Sequence, residues 1–476
     1  MVQWTQLCAI RGRAIATVAG VCVASLASGM PAAADTVESA LVEAYENNPQ
    51  LNVQRTIVRQ TDELVPQALA GYRPHVTGTG SVGTQSLSTT QQLVPVAPGT
   101  PAQYFTNSGY NAPYSVGLTI VQNLYNGFQT ANRTRAAESQ VSSARATLAS
   151  TEQTVLLSAL TAYMNLLRDY AILELQKRNV EVLQEQLRQT RDRFKVGDVT
   201  TTDISQAESR LAQGQTQVLV AQANYETSIA VYRQVIGKEP GKLSPGAPVD
   251  RFLPKTLNEA LALVDQHPNV ITAMHNVNNV EMQVKVAEGA LQPTINLQAS
   301  AQKAWEAQLD YPESYSASLM GQISVPIYQG GAEYSAIRQA KEGLGQRRLE
   351  LDLARKQIRE GISQAWSQLI ATKSAIKSTA VQVKAAEDAL NGVRQEALVG
   401  QRTTLDVLNA QSELVNARVQ VVTAQRDRVV GSYTLLSAVG RLSPQVLGLR
   451  VQTYNAIVHY HQVRDSWIGV RTPDGK

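Results

Sequence analysis

The feature that most constrains this chain is a duplication within it. The motif Val196-Gly197 followed by Thr202-Asp203 returns at a fixed offset as Val399-Gly400 followed by Leu405-Asp406. Apolar residues at a spacing of seven precede both copies with the same offset: Ala159, Leu166, Leu173, Val180, Leu187 and Phe194, then Ile362, Leu369, Ile376, Val383, Leu390 and Ala397. Helical register that is kept over about 70 residues predicts two copies of one long-helix unit, packed side by side. This organisation is typical of a tube or bundle and not of a catalytic pocket.

The segment Met1–Ala34 is predicted to be a secretory signal peptide. Two arginines precede an apolar stretch of about 14 residues, which is too short to span a bilayer. Ala32-Ala33-Ala34 then offers a small-residue cleavage site before Asp35. Cleavage there would remove both cysteines, Cys8 and Cys22, and would leave no disulfide and no thiolate metal site. An alternative is that Cys22 carries a lipid, although Val21 stands where a small residue is expected.

The rest of the chain is predicted to form two repeats, at 35–250 and 251–449, and a polar C-terminal tail at 450–476. Each repeat contains one long run without proline, Gly127–Phe194 in the first and Gly330–Ala397 in the second. As a helix, each run would reach roughly 100 Å. A glycine turn and a return helix of about 35 residues are predicted to follow each run.

Between the short opening helices and each long helix, the period of the apolar residues changes from 3.6 to 2. Four segments of about ten residues are apolar on one face and small and polar on the other, as in transmembrane β-barrel strands. They contain Val76, Leu118, Leu297 and Leu319. A sheet on a soluble core would explain any one of these strands equally well. The segment Gln85–Pro113 is predicted to be a long loop, and a shorter loop is predicted around Glu306–Glu313.

Four strands are too few to close a barrel. Bacterial barrels begin at about eight strands, and open strand edges are not tolerated in lipid. The strands are therefore expected to be pooled between chains. A trimer would have twelve strands and a dimer would have eight, and both numbers are even.

With these motifs in place, the chain resembles the TolC-like outer-membrane efflux protein family from Asp35 to about Leu449. The resemblance rests on the two turn motifs at one fixed offset and on the paired openings Thr36–Pro49 and Thr256–Pro268. It implies an α+β membrane protein: a homotrimer with a 12-stranded β-barrel (four strands per chain), a long periplasmic α-helical barrel and an equatorial belt of short helices. It also implies an exit duct in the bacterial outer membrane, surrounded by lipid, for type I protein secretion or export of small toxic compounds. The implied partners are a periplasmic adaptor protein and an inner-membrane ABC or proton-driven transporter.

The resemblance further implies a gate at the periplasmic end. Thr202 and Asp203 match the family's polar pair after the first turn, and Arg402 matches the arginine after the second. Asp406 matches a constricting acidic position, which threefold symmetry would turn into a ring of three carboxylates with mutually raised pKa values. An alternative is that Asp203 and Asp406 only cap their helices.

The two turns, Val196-Gly197 and Val399-Gly400, are the implied adaptor-contacting tips. Two positions depart from the family pattern. Ala397 stands where the family has a tyrosine before the second turn, and Asn409 replaces a further acidic residue. The closed state is therefore expected to have fewer contacts between helix ends and a less negative constriction.

No catalytic, cofactor or metal site is predicted. Gly78–Gly83 fits the pattern G-x-G-x-x-G, but no helix follows it to bind a phosphate. His459 and His461 lack a third ligand, and no nucleophile–base pair is apparent among the five histidines. The formal net charge of +4 is spread without a basic block, so nucleic-acid binding is not expected.

Two other classes of protein share some of these features. A periplasmic adaptor also contains a helical hairpin, but it has one hairpin and lacks paired amphipathic strands. A general solute porin would need many more strands per chain and no helices as long as the two predicted here.

Overall fold

The computed structural model describes residues 35–93, 99, 101–308 and 311–473. The predicted signal peptide and Cys22 lie outside the described residues. The first half contains α1 (Val37–Asn47), α2 (Pro49–Asp62), α3 (Leu64–Leu69), β1 (His75–Val82), β2 (Gln85–Leu93), β3 (Gln103–Asn111), β4 (Tyr114–Asn126), α4 (Gln129–Lys195) and α5 (Thr201–Ile236). The second half contains α6 (Leu257–Leu261), α7 (Pro268–Gly289), β5 (Thr294–Gln308), β6 (Tyr311–Ser324), α8 (Ala332–Leu398), α9 (Thr404–Ala438), α10 (Pro444–Leu447) and α11 (Ala456–Val463).

The long helices have the lengths that the sequence predicts. The helices α4 and α8 contain 67 residues each, and their return helices α5 and α9 contain 36 and 35. Most of the heptad positions of α4 are buried, because they face the return helix and the short helices beside it. Within the part of the chain that the structure describes, no helix has both the length and the hydropathy needed to cross a membrane.

A four-stranded antiparallel sheet has the order β1-β4-β5-β6. Its register places Leu118 beside Gly78 and Ala301, so that the apolar residues of neighbouring strands share one face. On the other face, hydroxyl pairs join the strands, such as Ser300 and Ser318 with their Oγ atoms 2.8 Å apart. The predicted two-faced strands are therefore present. The strands β5 and β6, with 15 and 14 residues, are longer than expected and take up most of the shorter predicted loop around Glu306–Glu313.

The prediction that Gln85–Pro113 is a loop was wrong. The strands β2 and β3 form a second antiparallel sheet within this segment, with Leu87 opposite Gly109 and Thr90 opposite Thr106. Gln and Thr occur on both faces of this hairpin, whereas Ser and Tyr lie on one face and Leu and Phe on the other. The few apolar residues of the hairpin are too widely spaced to mark the strands by alternation. Its ladder is made by backbone hydrogen bonds, which any of these residues can supply.

The largest core lies where the short helices surround the middle of α4. Its fully buried side chains include Leu41 of α1, Leu51 of α2, Leu156 and Tyr163 of α4, and Tyr232 of α5. The helix that begins at Pro49 is interrupted after Asp62. Pro66 explains the break, because a proline lacks an N–H and its ring clashes with the carbonyl four residues earlier.

The tail after Leu449 is ordered and not simply polar. Its helix α11 packs on α2, and His459 Nδ1 lies 2.9 Å from Asp62 Oδ2. The pairing gives His459 a structural partner, and no cluster of metal-ligating side chains occurs among the described residues.

Candidate functional site

The two long hairpins turn with the same backbone geometry at their tips. In the first, Gly197 N–H donates to the Phe194 carbonyl and Asp198 N–H donates to that of Arg193, at 3.0 Å each. In the second, Gly400 N–H and Gln401 N–H donate to the equivalent carbonyls. The φ angles of 81° and 79° at the two glycines complete this Schellman motif, which ends a helix in a left-handed residue.

Val196 and Val399 are exposed at the ends of these turns. An exposed valine at each tip, next to a hydrogen-bonded turn, is accessible to another protein. The structure therefore places the predicted adaptor-contacting residues at the two ends of the hairpins. Contact with an adaptor stays a prediction.

The two predicted gate aspartates cap the return helices in the same way. Asp203 Oδ2 accepts hydrogen bonds from the Thr200 hydroxyl at 2.7 Å and its N–H at 2.9 Å. Asp406 Oδ2 accepts from the Thr403 hydroxyl at 2.8 Å and its N–H at 3.0 Å. Each aspartate is thus the third helical residue of a capping box that Thr200 or Thr403 begins.

These hydrogen bonds lower the pKa of both carboxyls. For Asp203 the Thr200 hydroxyl has the largest effect, and the Thr404 side chain of the other hairpin makes a smaller contribution. For Asp406 the N–H of Thr403 has the largest effect. Both groups are therefore ionised at neutral pH, and capping accounts for their positions in a single chain.

Arg402 bonds within its own hairpin. Its Nε lies 2.8 Å from Glu396 Oε2, and this pairing raises the pKa of the guanidinium. Thr202 is exposed beside the first cap. Within one chain the structure therefore brings Asp203 near Thr404 but pairs Arg402 with Glu396. Whether Arg402 meets the Thr202-Asp203 pair of another chain stays a prediction.

The contacts that do join the two hairpins near their tips involve other residues. Leu408 of α9 is 1% exposed and packs into a cluster with Leu183, Leu187 and Ala207 of the first hairpin. Beside it, Arg210 Nη2 donates to Asn409 Oδ1 at 2.8 Å. Asn409 is thus a partner of the first hairpin, a role that its departure from the family pattern did not indicate.

A second polar link lies further from the tips. Gln411 Nε2 donates to Asn179 Oδ1, and Gln411 Oε1 accepts from Arg394 Nη2, both at 3.3 Å. The sequence held one indication of these contacts, since Leu408, Asn409 and Gln411 follow the second tip motif within a few residues. It held no signal for their partners, because Asn179 and Arg210 belong to the first repeat and lie far away along the chain.

A cleft of about 550 Å³ opens between α4 and the second hairpin beside these links. Charged side chains of both signs line it, including Glu181, Glu185, Arg193 and Arg394. Ala397 also lines the cleft. The small side chain at this position leaves space that the family's tyrosine would partly fill.

The sheet carries aromatic side chains at its end remote from the long helices. The rings of Tyr114 and Trp305 stack with their centroids 4.8 Å apart. Lys303 lies 5.0 Å from the Trp305 ring centroid and 3.1 Å from Glu313. Among the described strand residues, the charged side chains of the apolar face therefore lie at this edge. Such a border between apolar residues, aromatic rings and charges is typical of strands that enter a membrane interface.

Comparison with known proteins also indicates an outer-membrane protein. The family model described as outer membrane efflux protein matches residues 40–238 and 258–441. The chain is 40% identical over 451 residues to the outer membrane efflux protein BepC of Brucella suis biovar 1 (strain 1330), covering 94% of this chain and 95% of the relative. It is 26% identical over 312 residues to the outer membrane protein TolC of Escherichia coli (strain K12), covering 62% of this chain and 63% of TolC.

Solved structures share the fold. The Campylobacter jejuni CmeC outer membrane channel superposes with a TM-score of 0.73 at 16% identity, over 90% of this chain and 89% of that chain. CusC superposes with a TM-score of 0.72 at 16% identity, over 86% of this chain and 92% of that chain. Since the family match spans most of the sequence, the chain belongs to the outer membrane efflux protein family, whose members are channels of the bacterial outer membrane with a large periplasmic helical portion.

Proposed function

We propose that the protein is a homotrimeric exit duct that joins an inner-membrane transporter and a periplasmic adaptor to the outside of the cell. Its cargo is small toxic compounds or secreted proteins. The relative with 40% identity is named an efflux protein, and AprF of Pseudomonas aeruginosa, 24% identical over 324 residues, is named an alkaline protease secretion protein. No catalytic role is proposed.

One observation carries the proposal: the four-stranded sheet has two free edges. Among the described strands, β1 pairs only with β4, and β6 pairs only with β5. The strands alternate in direction, so β6 of one chain runs antiparallel to β1 of a neighbouring chain placed beside it. Three chains joined in this way would close a twelve-stranded barrel with no edge left in lipid.

The packing of the long helices supports the same arrangement of three chains in a ring. The helix α4 packs on α5 and α9, and α9 packs on α8. Apart from the contact of α5 with α9 near the tips, α5 and α8 lie at the two lateral edges of a chain. Leu219 of α5 is 70% exposed and Val381 of α8 is 69% exposed. Leu219 lies 18 residues from the tip end of α5 and Val381 lies 17 residues from that of α8, both about 26 Å along the helix. We expect these two side chains to meet across each interface between subunits.

We place the periplasmic gate at the tips, in two sets of contacts. One set is the family-derived group Thr202, Asp203, Arg402 and Asp406, whose three copies would surround the axis. The other is the bond between Arg210 and Asn409. An exposed polar link is worth about 0–1 kcal/mol, so three copies bias the equilibrium between closed and open states by a few kcal/mol at most.

Native mass spectrometry of the detergent-extracted mature protein tests the assembly. A mass of three mature chains is expected. A stable monomer with full β-sheet content by circular dichroism would overturn the proposal, since its strand edges would then be satisfied without a neighbour.

Single-channel conductance in planar bilayers tests the gate. Arg402→Ser and Arg210→Ser should each raise conductance, and the double variant should raise it further. Lys341→Ser is a matched control, because Lys341 pairs with Glu288 far from the tips. If the double variant conducts like the wild type, these residues do not hold the gate and Arg402 only stabilises its hairpin through Glu396.

A further inference from the structure

The C-terminal segment is fixed to the rest of the chain by a cluster of polar and ionisable side chains around Asp62. Asp62 is fully buried, with His459 at 2.9 Å and Arg145 Nη2 at 3.6 Å from its carboxylate. The Arg145 guanidinium also lies 5.0 Å from the ring centroid of Tyr460. Because a buried carboxylate is costly unless charged or polar groups surround it, this cluster holds α11 in one place on α2 and α4.

Beyond α11 the chain reaches the base of the four-stranded sheet. Arg73 Nη1 donates to the Ser466 carbonyl at 2.6 Å, and the Arg73 guanidinium lies 4.7 Å from the ring centroid of Trp467. Arg73 stands two residues before β1, which begins at His75. Trp467 therefore lies at the level where the periplasmic helices meet the strands.

The side chains at this level are apolar and exposed. Trp467 is 67% exposed, Ile468 is 92% exposed and Val470 is 100% exposed. Three further aromatic residues are exposed at the same junction, before β1, after β4 and after β6: Tyr72, Phe128 and Tyr328. Arg471 follows Val470 directly. Aromatic and aliphatic side chains beside a cation are the groups that the headgroup region of a membrane binds.

We propose that residues Trp467–Val470, the interfacial segment, insert into the periplasmic leaflet of the outer membrane and bind the boundary between phospholipid headgroups and acyl chains. The proposal rests on the proposed function in one respect, since it takes the sheet above Arg73 to lie in the membrane. The interfacial segment would then add a ring of three anchors outside the barrel, tied through α11 to the short helices around α4.

Tryptophan fluorescence in vesicles tests this proposal. Trp305, Trp366 and Trp467 are the tryptophans that remain after removal of residues 1–34, so each is isolated by replacing the other two with phenylalanine. The three variants, checked for trimer formation on gels, are reconstituted in phosphatidylcholine and phosphatidylglycerol vesicles. The vesicles contain lipids that are spin-labelled either at the headgroup or along the acyl chain.

Trp467 should lose most of its emission, with the strongest quenching from a label about 5–10 Å below the headgroups. Trp366 lies on α8 against the core around Ala260 and should keep its emission. A Trp467-only variant that also carries Ile468→Asp and Val470→Asp should shift its emission to the red and lose the quenching.

Trp305 separates the two proposals, because it lies within β5 on the apolar face of the sheet. If Trp305 is quenched and Trp467 is not, the interfacial segment does not touch lipid and a protein surface covers it instead. If neither is quenched, the sheet is not in the membrane and the proposed function itself fails. If Trp305→Phe prevents assembly, Trp305→Tyr replaces it in the Trp467-only variant.

Discussion

The two long helices have equal length and related sequences but very different surroundings. The helix α4 buries 22 of its 67 residues, whereas α8 buries 7 of 67. The reason is position: α4 is enclosed by α1, α2, α3, α5, α7 and α9, while α8 packs mainly on α7 and α9. The first hairpin is therefore largely buried by contacts within one chain, whereas the second has an open side.

The junctions between sheet and helix repeat this contrast. Gly127, with φ 62°, lies against Gly289 so closely that a side chain on either glycine would collide with the backbone of the other. At the second junction Gly330, with φ 74°, faces open space. The same turn is therefore closed by α7 in the first half and left open in the second, as expected if a neighbouring chain covers it.

The caps of the corresponding short helices differ in chemistry. The Asn48 side chain caps α2 by accepting from the N–H groups of Gln50 and Leu51. At the same position before α7, His267 Nδ1 accepts from Asn269 N–H at 3.1 Å. Only the second cap can be lost by protonation, because an imidazolium has no free lone pair.

The largest effect is expected from a disulfide across the open side of α8. Leu219→Cys combined with Val381→Cys should convert the oxidised protein into covalent trimers on denaturing gels, because the two positions are proposed to meet across each interface between subunits. A disulfide requires Cα atoms about 4.4–6.8 Å apart, so the bridge forms only if they do meet. Both native cysteines lie in residues 1–34, so a chain cleaved at the predicted site would contribute no competing thiol.

The pair Leu219→Cys and Leu349→Cys is the control for this disulfide. Leu349 is also exposed on α8, but it lies 49 residues from the tip end of that helix. This control should stay monomeric on the same gels. Crosslinking of the control, or none in the test pair, would contradict the proposed order of helices around the ring.

The next largest effect is expected from shortening a buried leucine of α4, compared with an exposed leucine of α8. Leu160→Ala removes a fully buried side chain from α4 and should lower the free energy of unfolding by about 2–5 kcal/mol. Leu349→Ala on α8, where the side chain is 71% exposed in one chain, should cost less than about 0.5 kcal/mol if nothing covers it. Thermal unfolding followed by far-ultraviolet circular dichroism measures both. A large loss for Leu349→Ala would show that a neighbouring subunit buries it.

A pair of glycine substitutions compares the closed first junction with the open side of α8. Gly289→Ala would place a methyl group about 2.5 Å from the Gly127 carbonyl oxygen and should destabilise the protein by about 1–3 kcal/mol. Gly361→Ala lies in α8 with no atom within 4 Å of the new methyl and should stabilise by up to about 1 kcal/mol through helix propensity. Both are read from melting temperatures of the trimer. Destabilisation by Gly361→Ala would mean that α8 is covered there.

The smallest effect concerns pH and the histidine cap. Burial lowers the pKa of His267, so the unfolded chain binds a proton more readily than the folded one. Stability from this group is therefore complete above the ordinary imidazole pKa of about 6.5 and falls as the pH drops toward the lowered value. His267→Asn replaces this cap with one that cannot be protonated. The difference in the free energy of unfolding between pH 7 and pH 5 should therefore shrink by about 1 kcal/mol, the usual contribution of a cap. An unchanged pH dependence would assign the loss to other groups.

Contacts at the site could be predicted from the sequence only where the two residues lie close together along the chain. The turns at Gly197 and Gly400 and the caps at Asp203 and Asp406 were predictable, because their partners are close neighbours in the sequence. The links between hairpins were not, since Arg210 meets Asn409 only after two helices have been packed side by side. Arg402 shows the limit most plainly: the sequence puts it just after the second turn, but its partner within the chain is Glu396.

Periodic and local features of the fold could be predicted from the sequence. Heptad spacing and the absence of proline set the two helices of 67 residues, and alternation set the two faces of the four-stranded sheet. Tertiary structure alone decided that Gln85–Leu93 pairs with Gln103–Asn111, that Leu408 packs on the first hairpin and that the tail reaches Arg73. The physical reason is that a pattern of side chains fixes which face will be buried, whereas the partner that buries it depends on the distances that the folded chain creates.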